Sequence, residues 1–329
     1  MRIVIALGGN ALLRRDEAPD ADTQTARLAL AAPTLAQLAQ QHQVVLVHGN
    51  GPQIGLLAHE STDDRSLTSP YPLTALGAET QGLIGSLIQQ SLHNAGLSKP
   101  AVTLITHTIV DADDPALSNP TKFIGAVYSR RKAARLARDH GWRIAPDWNG
   151  WRRVVASPQP RRIVELEAAR TLLTAGVTVV MGGGGGVPLT EDRGYHPADA
   201  VIDKDHTAAL IATELAADLL IILTDVPGVL SDYGTPDQSV IESSTPALLR
   251  LLSLPEGSMG PKVDAVCTFT ELTGKRAAIG ALEDADAVVR GTAGTQVQAG
   301  STLTSSEGGD TPAAQPSAPK TATTRRFAR

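Results

Sequence analysis

Residues 43–52, QVVLVHGNGP, decide the fold, because an aliphatic run there leads directly into a glycine-rich turn. Residues 2–10, RIVIALGGN, repeat the arrangement near the amino terminus. Short, continuous aliphatic runs are typical of strands that are buried on both faces of a sheet. Ligands of such sheets bind beyond the carboxyl ends of the strands. The two segments therefore predict two loops at a ligand-binding edge, where backbone N–H groups can approach an anion closely.

Strands and helices alternate along most of the remaining chain. Further strands are predicted at 101–106, 177–181, 218–224 and 276–280. Helices, marked by apolar residues that recur every three or four positions, are predicted at 22–42, 74–95, 163–175, 204–217 and 260–274. This alternation predicts an α/β fold with a mainly parallel sheet that helices cover on both faces.

Two segments break the alternation. Residues 122–162 contain all three tryptophans and two basic runs, at 130–132 and 152–153, which predicts a small insert with a hydrophobic core of its own. The alternative interpretation is a surface loop with incidental tryptophans. Residues 301–329 are rich in Ser, Thr, Ala, Pro and Gly, so we expect a disordered tail. The predicted organisation is one domain at 1–300, with the insert at about 122–162, followed by that tail.

The composition narrows the class of protein. The 329 residues carry a formal net charge of -5, so the chain lacks the overall positive charge that would attract nucleic acid or an anionic membrane. No run approaches the roughly 20 apolar residues of a membrane helix, and the amino terminus does not read as a signal peptide. The single cysteine, Cys267, cannot form an internal disulfide, and no Cys/His cluster indicates structural zinc. We therefore expect a cytoplasmic protein without nucleic-acid or membrane partners.

Lysine is scarce, with seven residues against 22 arginines, and two of the seven follow glycine-rich stretches. Lys204 lies between Asp203 and Asp205, downstream of five consecutive glycines at 182–186, and Lys262 follows a second glycine-rich loop. A lysine offers phosphate a compact positive charge. Two lysines and several loops of backbone donors predict phosphoryl transfer, in which the protein positions the reactants and neutralises developing charge. On the residues alone, an aspartate that caps a helix beside an exposed lysine remains an equal alternative.

Three further features allow a functional and a structural interpretation. Five consecutive glycines are costly to order, which favours close approach of a ligand over a plain linker at 182–186. His48 ends a predicted strand and is interpreted as a packed residue in preference to an acid or base. Cys267 lies in an apolar helix and is interpreted as a small buried hydrophobe.

The complete set of motifs resembles the carbamate kinases, a group within the amino acid kinase family. The resemblance extends over about residues 1–300. It rests on nine segments: ALGGNAL (6–12), HGNGPQIG (48–55), LGAETQGLIG (76–85), VDADDPALSNPTKFIG (110–125), GGGGVP (183–188), AVIDKD (200–205), ILTDVPGV (222–229), GSMGPKV (257–263) and GTAGTQV (291–297). It implies an open three-layer αβα sandwich, a homodimer, and an inserted lid, the name used below for residues 122–162.

The same resemblance implies an activity and roles for particular residues. The activity is reversible phosphoryl transfer between ATP and carbamate with Mg²⁺, which we expect to form ATP from ADP and carbamoyl phosphate. Carbamoyl phosphate would be held by Gly8, Gly9, Asn10, Gly49, Asn50 and Gly51. Lys204 and Lys262 would neutralise the transferring phosphoryl group, and Asp205 would orient both lysines. The nucleotide pocket would be lined by Thr224, Asp225, Val226, Gly228, Tyr233, Met259 and Gly260. No residue is assigned as a metal ligand.

The chain departs from the family pattern in the lid. Many carbamate kinases carry a Lys-Glu-Asp-Ala-Gly-Arg-Gly segment whose lysine reaches the site, whereas residues 144–150 here read IAPDWNG. Either Arg152 or Arg153 substitutes, or the lid contributes less charge, with slower turnover or an altered substrate. Two alternatives therefore accompany the assignment. One is an enzyme of the same fold that acts on another small acid, and the other is a non-catalytic sensor of nucleotide or carbamoyl phosphate.

Overall fold

The computed structural model describes residues 1–9, 17, 20–147, 150–254 and 259–300. The strands in this part of the chain are β1 (Arg2–Leu7), β2 (Gln43–His48), β3 (Ala101–Thr103), β4 (His107–Val110), β5 (Lys122–Tyr128), β6 (Arg143–Asp147), β7 (Gly150–Val155), β8 (Pro160–Ile163), β9 (Thr178–Val180), β10 (Val187–Glu191), β11 (Tyr195–Pro197), β12 (Leu219–Thr224), β13 (Leu230–Ser231), β14 (Ser239–Val240), β15 (Ser243–Ser244), β16 (Arg276–Ala281) and β17 (Thr295–Val297).

The α-helices in the same ranges are α1 (Ala21–Gln41), α2 (Gly51–Asp63), α3 (Leu73–Asn94), α4 (Pro115–Ser118), α5 (Arg130–His140), α6 (Leu166–Thr174), α7 (Lys204–Glu214), α8 (Pro246–Leu249), α9 (Met259–Thr273) and α10 (Ala285–Arg290), and Gly183–Gly185 form a 3-10 turn. Strands β1 and β2 match their predicted bounds. The other predicted elements differ from the observed ones by at most three residues at an end. Several elements were not predicted, among them α2, α10 and the short strands β4, β10, β11 and β17.

The largest sheet within the described ranges has the strand order β15-β17-β16-β12-β1-β2-β9-β3. Neighbouring strands pair in parallel except β16 and β17, which are antiparallel. The prediction of a mainly parallel sheet is confirmed. In the register of β1 against β2, Leu7 pairs with His48, so the two glycine loops leave the sheet side by side.

Two separate hydrophobic cores lie on the two faces of this sheet. Along β1, Ile3, Ile5 and Leu7 pack with α1, α3 and α10 on one face, and Val4 and Ala6 pack with α6, α7 and α9 on the other. Side chains alternate between the faces of a strand, so a continuous aliphatic run supplies both cores at once. Each fully buried Ile or Leu contributes roughly 1.5–3 kcal/mol. The open αβα sandwich is therefore confirmed.

The lid contains its own sheet and helix. Strands β5, β7 and β6 form an antiparallel sheet in that order. Helix α5 begins after Ser129 and ends at Gly141, whose left-handed backbone (φ 69°) stops it. A small core joins buried residues of β5 and α5 to partly buried tryptophans, and its members include Tyr128, Ala133, Leu136, Trp142 and Trp151. This is the separate small core that the sequence predicts, although Trp148 lies outside the described residues.

Strand β5 of the lid touches helix α2 main chain to main chain. A β carbon built on Gly55 of α2 would lie 2.6 Å from the Cα of Gly125, a distance that folded proteins do not show. Gly125 has a positive φ of 71° and lies where the register of β5 against β7 shifts. The absence of side chains at both positions therefore lets the lid strand lie directly on the helix.

Residues Met1–Ala299 form one compact unit. The division of the chain into domain, lid and tail stays a prediction, and the tail at 301–329 lies outside the described residues. Within the described ranges, no helix combines the length and the apolar character needed to cross a membrane.

Candidate active site

A cavity of about 250 Å³ lies beyond the carboxyl ends of β1 and β2. Seven of the predicted site residues line it: Gly9, Gly49, Asn50, Gly51, Lys204, Asp205 and Lys262. Gly8 lies behind its wall, because a β carbon on Gly8 would be 3.0 Å from the carbonyl oxygen of Leu223. Asn10 lies outside the described residues. The structure thus brings residues from four distant parts of the chain into one site.

Asp205 joins the two predicted catalytic lysines. Its Oδ1 accepts a hydrogen bond from Lys204 Nζ, and its Oδ2 accepts one from Lys262 Nζ at 3.0 Å. The carboxylate is held in place because Asp205 lies in the first turn of α7, where Asp203 is the N-cap and accepts from the Asp205 backbone N–H at 2.9 Å. One carboxylate therefore fixes the positions of two ammonium groups that come from different helices.

Burial is the largest single influence on the pKa of both Asp205 and Lys204. Asp205 is 3% exposed, and burial alone would raise its pKa, but Lys204 and Lys262 outweigh burial and hold the pKa below its usual range. Burial lowers the pKa of Lys204, and the charge of Asp205 opposes that effect. Asp205 therefore remains a carboxylate that stabilises two cations, a role that does not require it to exchange a proton.

A third lysine, Lys122 of β5, also lines the cavity. Its ammonium group forms an ion pair with the carboxylate of Asp203. Burial would raise the pKa of Asp203, but Lys122, with smaller effects of His206 and Lys204, lowers the pKa well below its usual range. The cavity consequently contains three ammonium groups and two carboxylates among the described residues, an excess of positive charge that favours an anionic ligand.

The register of the lid sheet separates the two arginines that the sequence left as alternatives. Arg153 pairs with Ile124, and Lys122 pairs with Val155, so these four side chains share the face of the sheet that meets the cavity. Arg152 lies on the opposite face, where it binds Asp147 at 3.0 Å and stacks over Phe123. Neither arginine lines the cavity. Residues 144–150 supply no lysine, as the sequence shows, but Lys122, from the first strand of the lid, does line the cavity.

Helix α2 presents its amino terminus to the same cavity. Gly51 and Pro52 line the wall, and the Asn50 side chain donates to Thr80 Oγ1 at 2.9 Å instead of capping the helix. A β carbon on Gly49 would lie 3.4 Å from the backbone of Gly9 and 3.5 Å from Lys204 Cδ. The first turn of a helix and its partial positive charge favour an anion at this place.

The glycine run at 182–186 forms part of the cavity wall and packs against protein on its other side. Gly184 lines the cavity and has φ 61°, and a β carbon there would lie 2.2 Å from Asn50 Nδ2. Gly185 has φ 91° and would place a β carbon 2.4 Å from the carbonyl oxygen of Ile202. The sequence predicted close approach of a ligand, whereas the groups that exclude side chains here are protein atoms.

His48 and Cys267 are buried, as the sequence predicted. Burial lowers the pKa of His48 to about 4, so the imidazole is neutral at pH 7, and its Nδ1 donates to the carbonyl oxygen of Gly49 at 2.9 Å. Burial raises the pKa of the Cys267 thiol to about 11. Neither side chain is therefore prepared for acid–base or nucleophilic chemistry.

The predicted nucleotide-binding residues do not lie in the wall of the cavity. Thr224 ends β12, and its Oγ1 lies 3.7 Å from the position of a β carbon on Gly8, at the end of the adjacent β1. Gly228 packs against Thr295, where a β carbon would lie 2.7 Å from Oγ1. Asp225 and Val226 lie between these two positions. Met259 and Gly260 begin α9, whose Pro261 and Lys262 do line the cavity. Tyr233 is 72% exposed in the connection between β13 and β14.

Residues 1–280 match the amino acid kinase family. The chain belongs to this family. A similar protein, a carbamate kinase of Rhizobium meliloti, is 47% identical over 300 residues, which cover 90% of this chain and 92% of the relative. A carbamate kinase of Escherichia coli is 46% identical over 293 residues, which cover 89% of this chain and 98% of the relative.

A solved structure of the amino acid kinase family has the same fold. The carbamate kinase from Giardia lamblia bound to AMP-PNP superposes with a TM-score of 0.83 at 37% sequence identity, and the match covers 91% of this chain and 98% of that chain. The predicted fold class and the predicted family are therefore confirmed.

The sequence alone did not predict a role for Lys122 at the site. A signal was present, since lysine is scarce and Lys122 ends the Asn-Pro-Thr-Lys segment at the edge of the lid. What the sequence could not supply is the register of β5 against β7 and the contact of β5 with α2. Those two features determine that Lys122 reaches the same cavity as Lys204.

Proposed function

We propose that this chain is a carbamate kinase, which transfers a phosphoryl group reversibly between ATP and carbamate. The observation that carries the proposal is the arrangement around Asp205, where one buried carboxylate holds Lys204 and Lys262 at a cavity that Lys122 enters from the lid. The names of the similar enzymes supply the substrate. The cavity, at about 250 Å³, suits a small anion and is too small for a whole nucleotide.

In this proposal the glycine loops and the lysines divide the work. The backbone of Gly9, Gly49 and Gly51, with the amino terminus of α2, holds the oxygens of carbamoyl phosphate. Lys204 and Lys262 lie against the transferring phosphoryl group and neutralise the charge that spreads over its oxygens in the transition state. Asp205 takes no proton and keeps the two ammonium groups in position.

The nucleotide binds, in this proposal, along the ends of β12 and α9. Thr224, Asp225, Val226 and Gly228 line one side, and Met259 and Gly260 the other, with Tyr233 at the exposed end. This placement brings the terminal phosphate toward Lys262, which lies two residues beyond Gly260 on the same helix. Asn10 is proposed as a further contact of carbamoyl phosphate on the resemblance alone.

Mg²⁺ fits this site as an ion that the nucleotide phosphates carry. Both carboxylates of the cavity already bind lysines, and the described residues contain no group of three or more His, Cys, Asp or Glu side chains that could hold a metal. Mg²⁺ commonly keeps several waters and binds through phosphate oxygens. When bound, it would neutralise part of the phosphate charge, while the lysines act on the group that moves.

The test is whether the full chain forms ATP from ADP and carbamoyl phosphate with Mg²⁺. A coupled enzyme assay measures the ATP. We expect turnover in wild type and a loss of about 10²–10³ in Lys262→Ala, because a charged donor to the transition state is lost. Lys275→Ala, which removes an exposed lysine bound to Asp218, is the matched control. No ATP formation by wild type would overturn the activity. Binding of both substrates without turnover would support a sensor instead.

The assembly and the location complete the proposal. We propose a homodimer in the cytoplasm, on the resemblance to the family. Light scattering of the purified chain after gel filtration measures the mass directly, and a monomer at micromolar concentration would contradict the proposed dimer.

A further inference from the structure

A second and larger cleft, of about 780 Å³, lies between the lid and the body of the molecule. Its wall has three parts: the end of α2 with the connection to α3, a patch of the lid, and the connection at 197–199. It shares no described lining residue with the cavity around Asp205. The volume lies in the range of sites for small-molecule ligands.

Arg153 of the lid lies in this cleft without a hydrogen-bond acceptor among the described residues. Its guanidinium carbon is 5.0 Å from the centre of the Trp142 ring, and burial lowers the pKa of the group. An arginine has five N–H donors, and a ligand that enters the cleft can accept from those of Arg153. Arg152, the next residue, is bound to Asp147 by contrast. Arg153 is therefore prepared to accept a carboxylate, which its planar group binds through two parallel hydrogen bonds.

The wall of the cleft that contains Arg153 also contains aspartates. Asp199 is near enough to raise the pKa of Arg153, although the two form no ion pair, and Asp139 also lines the cleft. Neither aspartate has an ion-pair partner among the described residues. Their charges repel a phosphate or a dicarboxylate, but they attract an amino group placed beside Arg153. One guanidinium next to unpaired carboxylates is the complement of a zwitterion.

We propose that this cleft is a binding site for an amino acid, whose carboxylate binds Arg153 and whose ammonium group faces Asp199. Thr68, Ser69 and Trp142 also line the cleft and would contact the side chain of the amino acid. The site is separate from the cavity around Asp205, so its occupancy can be measured without turnover.

Such a ligand would connect the lid to the catalytic cavity. Arg153 lies two residues from Val155, which pairs with Lys122, and Asp199 lies four residues before Asp203, the partner of Lys122. An amino acid that bridges Arg153 and Asp199 would hold both members of that ion pair in their present places. Its binding would therefore alter the rate of phosphoryl transfer as well as the stability of the lid.

The test is a thermal-shift screen of the common amino acids on the full chain, followed by calorimetric titration of the strongest one. Succinate and inorganic phosphate are the anionic probes for comparison. Arg153→Gln should weaken the amino acid by roughly 10- to 100-fold, the loss expected for a pair of charge-assisted hydrogen bonds. Arg152→Gln, on the other face of the same strand, is the matched control and should bind as wild type does.

Three further measurements keep the outcome clear if Arg153→Gln folds poorly. Arg153→Lys keeps the charge but not the planar fork, so it should also weaken binding. Asp199→Asn should weaken the amino acid and strengthen succinate, which separates a zwitterion site from a simple anion site. Hydrogen exchange should show protection at 64–72 and 139–153 on binding. The proposal is overturned if no amino acid binds, if both Arg153 variants bind normally, or if succinate or phosphate binds more tightly than every amino acid.

Discussion

Replacing Asp205 by asparagine removes one negative charge and keeps the shape of the side chain. Two ammonium groups, those of Lys204 and Lys262, then lose their shared partner in a buried place. The Lys262 nitrogen lies 3.0 Å from the carboxylate oxygen. At an effective dielectric constant of about 20, that separation corresponds to a gross attraction of about 5.5 kcal/mol. The cost of removing the charges from water offsets part of it, so we expect Asp205→Asn to lose about 3–5 kcal/mol of stability.

The same substitution changes the charge state of Lys204. Burial already lowers the pKa of Lys204, and Asp205 is the largest influence that raises it. Without that carboxylate, the pKa falls further, and the ammonium form persists only at lower pH. The alkaline limb of the pH–rate profile should therefore move to lower pH in Asp205→Asn, and the rate near pH 7 should fall by about 10²–10³.

Urea unfolding measures the first effect, and ATP formation between pH 5 and 9, measured where the variant is folded, gives the second. Asp218→Asn is the control, because Asp218 binds Lys275 at 3.2 Å on the surface, where an ion pair contributes about 0–1 kcal/mol. The reasoning is refuted if the free energy of unfolding of Asp205→Asn lies within 1 kcal/mol of that of Asp218→Asn. It is also refuted if Asp205→Asn keeps the wild-type pH–rate profile, because Asp205 then does not hold the two lysines as described.

Three other substitutions test separate parts of the structure. Gly185→Ala should destabilise the protein by about 2–4 kcal/mol, against about 1 kcal/mol for Gly96→Ala, because both glycines have φ near 90° but only Gly185 faces protein within 4 Å; equal melting temperatures would contradict this. Lys122→Met should reduce ATP formation by about 10² and should also lower the melting temperature, because the buried carboxylate of Asp203 loses its partner; wild-type activity in the folded variant would make the lysine structural only. Asp264→Asn should cost about 1 kcal/mol at pH 7, after allowance for its exposure. The ion pair with His206 lowers the Asp264 pKa to about 2, so this difference should disappear as the pH falls from about 4 to 2 in urea titrations.

The sheet could be predicted from the sequence because its information is local. The central strands, such as 2–7 and 219–224, are continuous aliphatic runs, the first followed by Gly8 and the second ending at Thr224. Helix α2 was missed although Pro52, a residue typical of the first helical turn, marks its start. The sequence Gly49-Asn50-Gly51 is typical of a turn. In the fold, Asn50 is instead the N-cap and Gly51 the first residue of the helix.

The site could be predicted only in part because its last member depends on distant contacts. Lys204, Asp205 and Lys262 stand out in glycine-rich surroundings. Lys122 stands in a strand of an insert, and its direction depends on which residue of β7 it faces. The short strands β4 and β10 were not predicted for the same reason, since they have only four and five residues and pair with each other across a long stretch of the chain.

The contact between Gly55 and Gly125 fixes the distance between the lid and the cavity around Asp205 through main-chain atoms alone. Main-chain atoms are the same whatever residues surround them. The tryptophans and arginines of the lid can therefore diverge among related enzymes without changing how far Lys122 extends. A single methyl group at residue 55 would instead raise the whole strand, and no compensating change in the lid core could lower it again. Variation in this protein should be tolerated within the lid and rejected at the two glycines on which it rests.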